Sequence, residues 1–223
     1  MAVDFRLYLV TDRDRAPGGD LLAAVERALD GGVRAVQLRE KDLPGGKLHE
    51  LALAMRGLTA RHGARLLVND RVDVALAAGA DGVHLGVASI PPGEARRLLG
   101  PEALIGCSTH DLRELAEAME GRADFVTFGP VYATPSKAAY GPPVGVEALR
   151  RACAASRVPV FALGGVGAEN VREVLGAGAW GVGAIGAILS APDPFAAARD
   201  LAGRVGETSD RERTGCRGKE GTP

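Results

Sequence analysis

The chain has 223 residues, of which 46% are hydrophobic and 25% are charged, and its net charge is −1. This length predicts one large domain, and the near-neutral charge argues against nucleic acid or an anionic membrane surface as a partner. No apolar run approaches the roughly 20 residues of a membrane span, the N-terminus lacks a signal-peptide pattern, and the cysteines lack disulfide or zinc spacing. We therefore expect a cytoplasmic protein, with a homo-oligomer left open.

Short apolar segments recur along the chain from residue 6, and each is followed by a longer segment with helical spacing. Short apolar runs of this kind are typical of buried parallel strands. In chain order, the predicted strands are residues 6–11, 34–39, 64–69, 81–86, 103–108, 123–129, 158–165 and 180–186.

Eight strand–helix units in little more than 200 residues predict an α/β protein, a (β/α)8 TIM barrel formed as a single domain by residues 1–205. A doubly wound sheet is the alternative. Residues 63–86 and 158–186 both read strand, turn, short helix, GA(D/W)GV, strand, which suggests a repeated half-barrel module and favours the barrel. Residues 206–223 are polar, glycine-rich and aperiodic, so a disordered polar tail is expected there.

The segment VQLREK, Val36 to Lys41, begins apolar and ends in three charged side chains. Side chains alternate between the two faces of a strand, so Val36 and Leu38 share one face. Gln37, Arg39 and Lys41 continue the other face, which would point to the barrel axis at the strand end where active sites of this fold lie. Because buried cations need anions, we expect an anionic ligand here; the alternative is a solvated loop.

Polar residues and glycines also follow the other predicted strands. They are Asn69 and Asp70 after the third strand, Ser108 at the end of the fifth, Thr134, Ser136 and Lys137 after the sixth, and the glycines at the ends of the last two. Hydroxyl and ammonium donors suit phosphate oxygens, and the last two loops with a short helix form the recurrent phosphate site of TIM barrels. Such a mouth would fit two phosphorylated substrates joined with loss of diphosphate.

Three further features bear on the chemistry. Asp70 is a candidate ligand for Mg2+, which prefers carboxylate and phosphate oxygens. Gly181 to Gly186 match G-x-G-x-x-G, but no second strand with an acidic residue follows, so we expect a monophosphate there rather than a dinucleotide. His84 and His110 show no metal spacing and are expected to support the structure or lie behind the site.

Several of these segments resemble the thiamine phosphate synthase family. They are YLVTDR, VQLREK, VNDRVDVALAAGADGVHLG, IGCSTHD, FGPVYATPSK, FALGGV and GAGAWGVGAIGAI, and they extend over nearly all the chain except the tail. The resemblance implies a (β/α)8 transferase with Mg2+ as its cofactor. It would couple a hydroxymethylpyrimidine diphosphate to a hydroxyethylthiazole phosphate, with diphosphate leaving before the thiazole nitrogen attacks.

The resemblance also implies a role for each matching residue. The pyrimidine diphosphate would be bound by Gln37, Arg39 and Lys41, the pyrimidine by Asn69 and the magnesium ion by Asp70. The substrate site would be completed by Ser108, Thr134, Ser136 and Lys137. The thiazole phosphate would be bound by Gly165, Ile185 and Gly186. Arg39, Lys41 and Lys137 would be catalytic, because they stabilise the departing negative charge.

The sequence departs from the family pattern after GVHLG. Val87 stands where a glutamine is usual, and Ser89 stands where the family has a second metal-binding aspartate. This loss leaves two alternatives open: a thiazole tautomerase-like isomerase of a thiazole carboxylate phosphate, and a non-catalytic paralogue that binds thiamine precursors. Gln37 and the Thr134 to Lys137 loop favour the synthase, as does Pro130, where a characterised type of tautomerase has histidine.

Overall fold

The computed structural model describes residues 3–134 and 142–215, with side-chain surroundings given as far as residue 206. Its strands form a closed parallel barrel in the order of the chain. They are β1 (Leu7–Val10), β2 (Ala35–Leu38), β3 (Arg65–Asn69), β4 (Gly82–Leu85), β5 (Leu104–Thr109), β6 (Phe125–Phe128), β7 (Val160–Leu163) and β8 (Gly181–Ala184). The barrel confirms the predicted fold class, and the doubly wound alternative is wrong.

Helices alternate with the strands around the outside. They are α1 (Leu21–Asp30), α2 (Gly45–Arg61), α3 (Val72–Ala78), α4 (Pro92–Leu99), α5 (Leu112–Glu120), α6 (Gly145–Ala155), α7 (Val171–Gly176), α8 (Gly186–Leu189) and α9 (Pro194–Gly215). Two short 3-10 turns, Arg13–Arg15 and Pro17–Gly19, connect β1 to α1. None of the helices described is long and apolar enough to cross a membrane.

Helix α9 includes residues 206–215, where the sequence predicts a polar tail. Residues 216–223 lie outside the described part of the chain. The buried side chains of Leu201 and Val205 belong to the main core, so α9 packs against the barrel layer at least that far. The boundary between the domain and its tail stays a prediction.

The alternation of side chains along the strands produces two separate cores. Residues such as Leu9, Val36 and Leu38 face the helices and belong to one large core. A smaller core inside the barrel is formed by Phe5, Tyr8, Val10, Ala35, Leu67, Leu104, Phe125 and Phe161. The rings of Phe5 and Phe161 are centred 5.2 Å apart, so aromatic side chains fill the barrel toward the amino-terminal ends of the strands. A ligand of the barrel must therefore approach from the carboxyl ends of the strands.

Candidate functional site

The end of β2 places its alternate residues as the sequence predicts. Val36 and Leu38 are fully buried against the helices. Gln37 is buried inside the barrel, where its amide Nε2 donates to the Tyr8 hydroxyl over 3.2 Å. Arg39 is half-buried and Lys41 is exposed, so the polar face of this strand leads from the barrel interior to its mouth.

Glu40 is buried between the loops that follow β1 and β2. Its carboxylate accepts a hydrogen bond of 2.6 Å from the Thr11 hydroxyl and bonds of 3.3 Å from the backbone N–H and the guanidinium of Arg13. Thr11 Oγ1 in turn accepts from the Arg39 backbone N–H over 2.9 Å. Glu40 therefore joins the two loops and fixes the backbone at Arg39.

Asp70 connects the ends of β3 and β4. Its Oδ1 accepts from the Gly86 backbone N–H over 2.9 Å and from the Ser89 hydroxyl, and its Oδ2 accepts from the Asn69 amide over 2.7 Å. The Gly86 N–H is also 2.8 Å from Ser89 Oγ. Asn69 and Asp70 thus lie together, and Ser89 contacts the carboxylate that the sequence singles out for a metal ion.

Asp70 has a carboxyl pKa below its usual value. Partial burial by itself raises this pKa, but donors from Ser89, Gly86 and Asn69 and the positive charge of Lys41 outweigh that effect. The carboxylate is consequently ionised at neutral pH. The influence of Lys41 also shows that this cation and Asp70 share one region of the mouth.

A line of buried polar side chains crosses the barrel above its aromatic core. The Tyr8 hydroxyl lies 3.3 Å from His84 Nδ1, and His84 Nε2 lies 3.1 Å from Ser108 Oγ and 3.4 Å from Thr127 Oγ1. Burial lowers the pKa of His84 to about 3, with opposing effects from the charges of Asp70 and Arg39. His84 is therefore a neutral imidazole that links Ser108 to the β1 and β2 side of the site.

A cavity of about 450 Å3 opens over the carboxyl ends of β5 to β8. Predicted site residues that line it are Ser108, Thr134, Gly165, Ile185 and Gly186. Its lining does not include Gln37, Arg39, Lys41, Asn69 or Asp70, which occupy the β2 to β4 side of the same barrel end. Ser136 and Lys137 lie outside the described residues. The described site residues therefore form two adjoining groups, with Ser108 in the cavity and bonded to His84.

The turn after β7 requires glycine at two positions. Gly164 and Gly165 have φ angles of +95° and +67°, a region that side chains disfavour. A Cβ at Gly165 would lie 2.7 Å from the Cβ of Tyr132, and one at Gly164 would lie 2.5 Å from the Cβ of Pro130. The backbone of this turn therefore packs directly against the loop after β6 and forms one wall of the cavity.

Some residues of the site were missed by the sequence patterns. Arg15 and Glu169 line the cavity, and Tyr8 and Thr127 belong to the buried polar line. The charged run TDRDR directly after the first strand was the available signal for Arg15, because loops after barrel strands surround the site. His110 also lines the cavity, with Nδ1 2.8 Å from Glu114.

Comparisons of the sequence with known proteins show the family to which the chain belongs. The family model described as thiamine monophosphate synthase matches residues 7–188. Thiamine-phosphate synthase of Albidiferax ferrireducens is 48% identical over 196 residues, covering 88% of this chain and 90% of the relative. A Geobacter sulfurreducens protein, named provisionally for the same activity, is 61% identical over 199 residues, covering 89% of this chain and 93% of the relative.

A solved structure shows the same similarity in three dimensions. Thiamine phosphate pyrophosphorylase from Pyrococcus furiosus superposes with a TM-score of 0.84 at 36% identity, covering 91% of this chain and 96% of that one. The similarity therefore extends over the whole barrel rather than over isolated motifs.

Proposed function

We propose that this chain, which belongs to the thiamine monophosphate synthase family, joins a hydroxymethylpyrimidine diphosphate to a hydroxyethylthiazole phosphate. The products are thiamine phosphate and diphosphate. The observation that carries the proposal is the pair of adjoining groups at one barrel end. One is the cationic rim after β2, formed by Arg39 and Lys41, together with Asp70, and the other is the cavity beside it. Two substrates that must react with each other need two such neighbouring positions.

The pyrimidine diphosphate is assigned to the β2 to β4 side. Gln37 supports this assignment because Tyr8 fixes its amide inside the barrel. Arg39 and Lys41 continue the same face toward solvent and would bind the diphosphate as charge-assisted donors. Asn69 donates to Asp70 and would present its amide to the pyrimidine.

The thiazole phosphate is assigned to the cavity. Ser108, Thr134, Gly165, Ile185 and Gly186 line it, and glycines at the turn after β7 allow a ligand to come close to the backbone. Ser136 and Lys137 are assigned from the family motif alone, with the lysine reaching the diphosphate.

The chemistry assigned here needs no general base. Diphosphate departs first, which leaves a pyrimidine methylene cation, and the thiazole nitrogen that attacks it has no proton to lose. The protein must therefore position both substrates and stabilise the departing negative charge, for which we assign Arg39, Lys41 and Lys137. The neutral His84, with a pKa of about 3, supports a role in fixing Ser108 rather than in moving protons.

Asp70 fits a magnesium site in its chemistry. Mg2+ in proteins is bound by one or two carboxylates together with substrate phosphates and water, and Asp70 supplies one ionised carboxylate beside the cationic rim. The described part of the chain contains no cluster of three or more acidic, histidine or cysteine side chains that could hold a metal. Asp70 would hold the ion with the diphosphate oxygens, and the ion would supply further neutralisation of the leaving group.

The presence of Ser89 beside Asp70 favours a second function. Its neutral hydroxyl bonds to Asp70 where the family has a second metal-binding aspartate, and the isomerisation of a thiazole carboxylate phosphate uses no metal. The retained Gln37 and Thr134 support the synthase, because the isomerase alternative does not require a complete diphosphate site.

Assays of coupling, of tautomer conversion and of precursor binding separate these functions. The purified protein is incubated with both phosphorylated precursors and Mg2+, and thiamine phosphate is measured by mass spectrometry. We expect thiamine phosphate from the wild type, loss of most product with Lys137→Ala, and unchanged product with Arg97→Ala, which removes an exposed arginine paired with Glu94 on α4. Turnover of a thiazole carboxylate tautomer alone would select the isomerase, and binding without turnover would select the non-catalytic paralogue.

A further inference from the structure

Arg15 is a cavity residue that the family motifs do not include. It ends the 3-10 turn Arg13–Arg15 after β1, and the closed barrel places β1 beside β8. Its Nη1 lies 3.4 Å from the position that a Cβ on Gly186 would take. The guanidinium is therefore next to the first residue of α8, at the edge of the cavity over β5 to β8.

The side chain of Arg15 is held at one point. Its Nε donates to Asp12 Oδ2 over 2.8 Å. Within the described part of the chain, the hydrogen bond of the Arg15 side chain is made by Nε and not by either Nη group. About a third of the side chain is exposed. Asp12 thus orients the guanidinium while both Nη groups can still donate to a ligand.

The neighbouring Arg13 shows that the two arginines of this turn have different roles. Arg13 bonds to the buried Glu40 and to the exposed Asp42, and it does not line the cavity. Arg13 therefore belongs to the junction of the β1 and β2 loops, whereas Arg15 faces the cavity.

The charges on the cavity wall give Arg15 its importance. Among the described lining residues, Arg15 carries the permanent positive charge, Glu169 is the carboxylate, and His110 is paired with Glu114. A phosphate ester in this cavity needs a cation to offset its own charge and that of Glu169. Without Arg15, the described side chains of the wall would carry no permanent positive charge.

We propose that Arg15 binds the phosphate of the thiazole substrate and makes the enzyme prefer the phosphate ester over the free alcohol. This inference rests on the proposed function, because it takes the cavity as the thiazole position. The planar fork of a guanidinium matches phosphate oxygens in pairs. Binding of the pyrimidine diphosphate, on the β2 to β4 side, does not depend on Arg15.

Isothermal titration of the full chain with the thiazole phosphate and, separately, with its dephosphorylated alcohol tests the proposal. Arg15→Gln should weaken binding of the phosphate about tenfold or more, the loss expected for a charged hydrogen-bonding partner, and should leave binding of the alcohol unchanged. Arg15→Lys should restore part of the loss. Arg97→Ala, which removes an arginine that is also paired with an acidic residue three positions away, should change neither titration.

A second variant keeps the test independent of how well the Arg15 variants fold. Glu169→Gln removes the exposed carboxylate of the wall and should tighten binding of the phosphate but not of the alcohol. Equal losses for the two ligands with Arg15→Gln, or a matching rise in KM for the pyrimidine diphosphate, would overturn the proposal. Wild-type protein that binds the thiazole phosphate through Arg15 but forms no thiamine phosphate would refute the proposed function and leave the role of Arg15 standing.

Discussion

Ser89 and Asp70 meet through one hydrogen bond where β3 and β4 end. The bond occupies an oxygen of Asp70 that the proposed magnesium ion would also use, and it offers a hydroxyl where a carboxylate would be a far stronger magnesium ligand. Asp70 itself has a φ angle of +60°, which is uncommon for a residue with a side chain. The conformation at this position and the contact with Ser89 together fix the direction of the carboxylate.

Ser89→Asp should lower the magnesium concentration needed for half-maximal coupling, because a second carboxylate would join Asp70 in holding the ion. Titration of activity with Mg2+ measures the effect. Ser89→Ala, which removes the hydroxyl without adding charge, is the matched control and should not produce this tightening. An identical titration for wild type and Ser89→Asp would mean that Ser89 is not close to the bound metal.

His84 should make the stability of the fold depend on pH. Its pKa falls from 6.5 to about 3 on folding, so between these values the unfolded chain binds a proton that the folded chain excludes. The stability it contributes is present above about pH 6.5 and is lost progressively as pH falls toward 3, with a slope of up to about 1.4 kcal/mol per pH unit. The free energy of unfolding, measured by urea titration at several pH values in this window, should change less with pH for His84→Gln than for the wild type.

A replacement of His62 controls for the loss of an imidazole as such. His62 lies at the end of α2, with Nε2 3.1 Å from Asp30, and takes no part in the buried polar line. In His62→Gln, the free energy of unfolding should still depend on pH through His84, as it does in the wild type. Parallel stability profiles for wild type and His84→Gln would contradict the burial argument.

At the scale of elements, the turn after β7 is where backbone shape and the cavity depend on each other. Gly165→Ala adds a methyl group 2.7 Å from Tyr132 at a φ of +67°, so the turn must move. We expect a lower melting temperature and a raised KM for the thiazole phosphate, with a smaller change for the pyrimidine diphosphate. Thermal unfolding and steady-state kinetics with each substrate varied measure these effects.

Gly176 provides a control with the same chemical change. It lies at the end of α7, has no atom within 4 Å of an added Cβ, and should tolerate alanine or gain up to about 1 kcal/mol of stability. A Gly165→Ala protein that behaves like Gly176→Ala would show that the turn does not form a tight wall.

The alternation in VQLREK was enough to predict which face of β2 holds Gln37, because a strand inside a barrel has only two faces. Arg15 could not be placed in the same way. It lies in a short 3-10 turn, where no two-residue period applies, and its closeness to Gly186 results from closure of the barrel between β1 and β8. The cavity itself depends on several loops packing together, which no local pattern records.

At the scale of the whole molecule, all the predicted strands are present and the barrel closes in chain order. Strands were predictable because both of their faces are buried, which makes them continuous apolar runs. The boundary between domain and tail has no such signal, because α9 packs through Leu201 and Val205 and continues as helix into residues 206–215, so that boundary stays a prediction.

Deletion of the residues beyond Gly206 should preserve the melting temperature and the coupling rate. The truncated chain keeps Leu201 and Val205, which belong to the core in the part of α9 whose side chains the structure describes. Thermal unfolding and turnover of the truncated and full-length chains test this expectation. A clear loss of either property would show that residues 207–223 are part of the working domain.

The aromatic core around Phe5, Phe125 and Phe161 closes one end of the barrel. The proposed reactants and products must then enter and leave at the same open end of the barrel, where the carboxyl ends of the strands lie. A product that stays bound there should therefore block the substrate whose position it occupies, which product-inhibition kinetics with each substrate varied in turn would show.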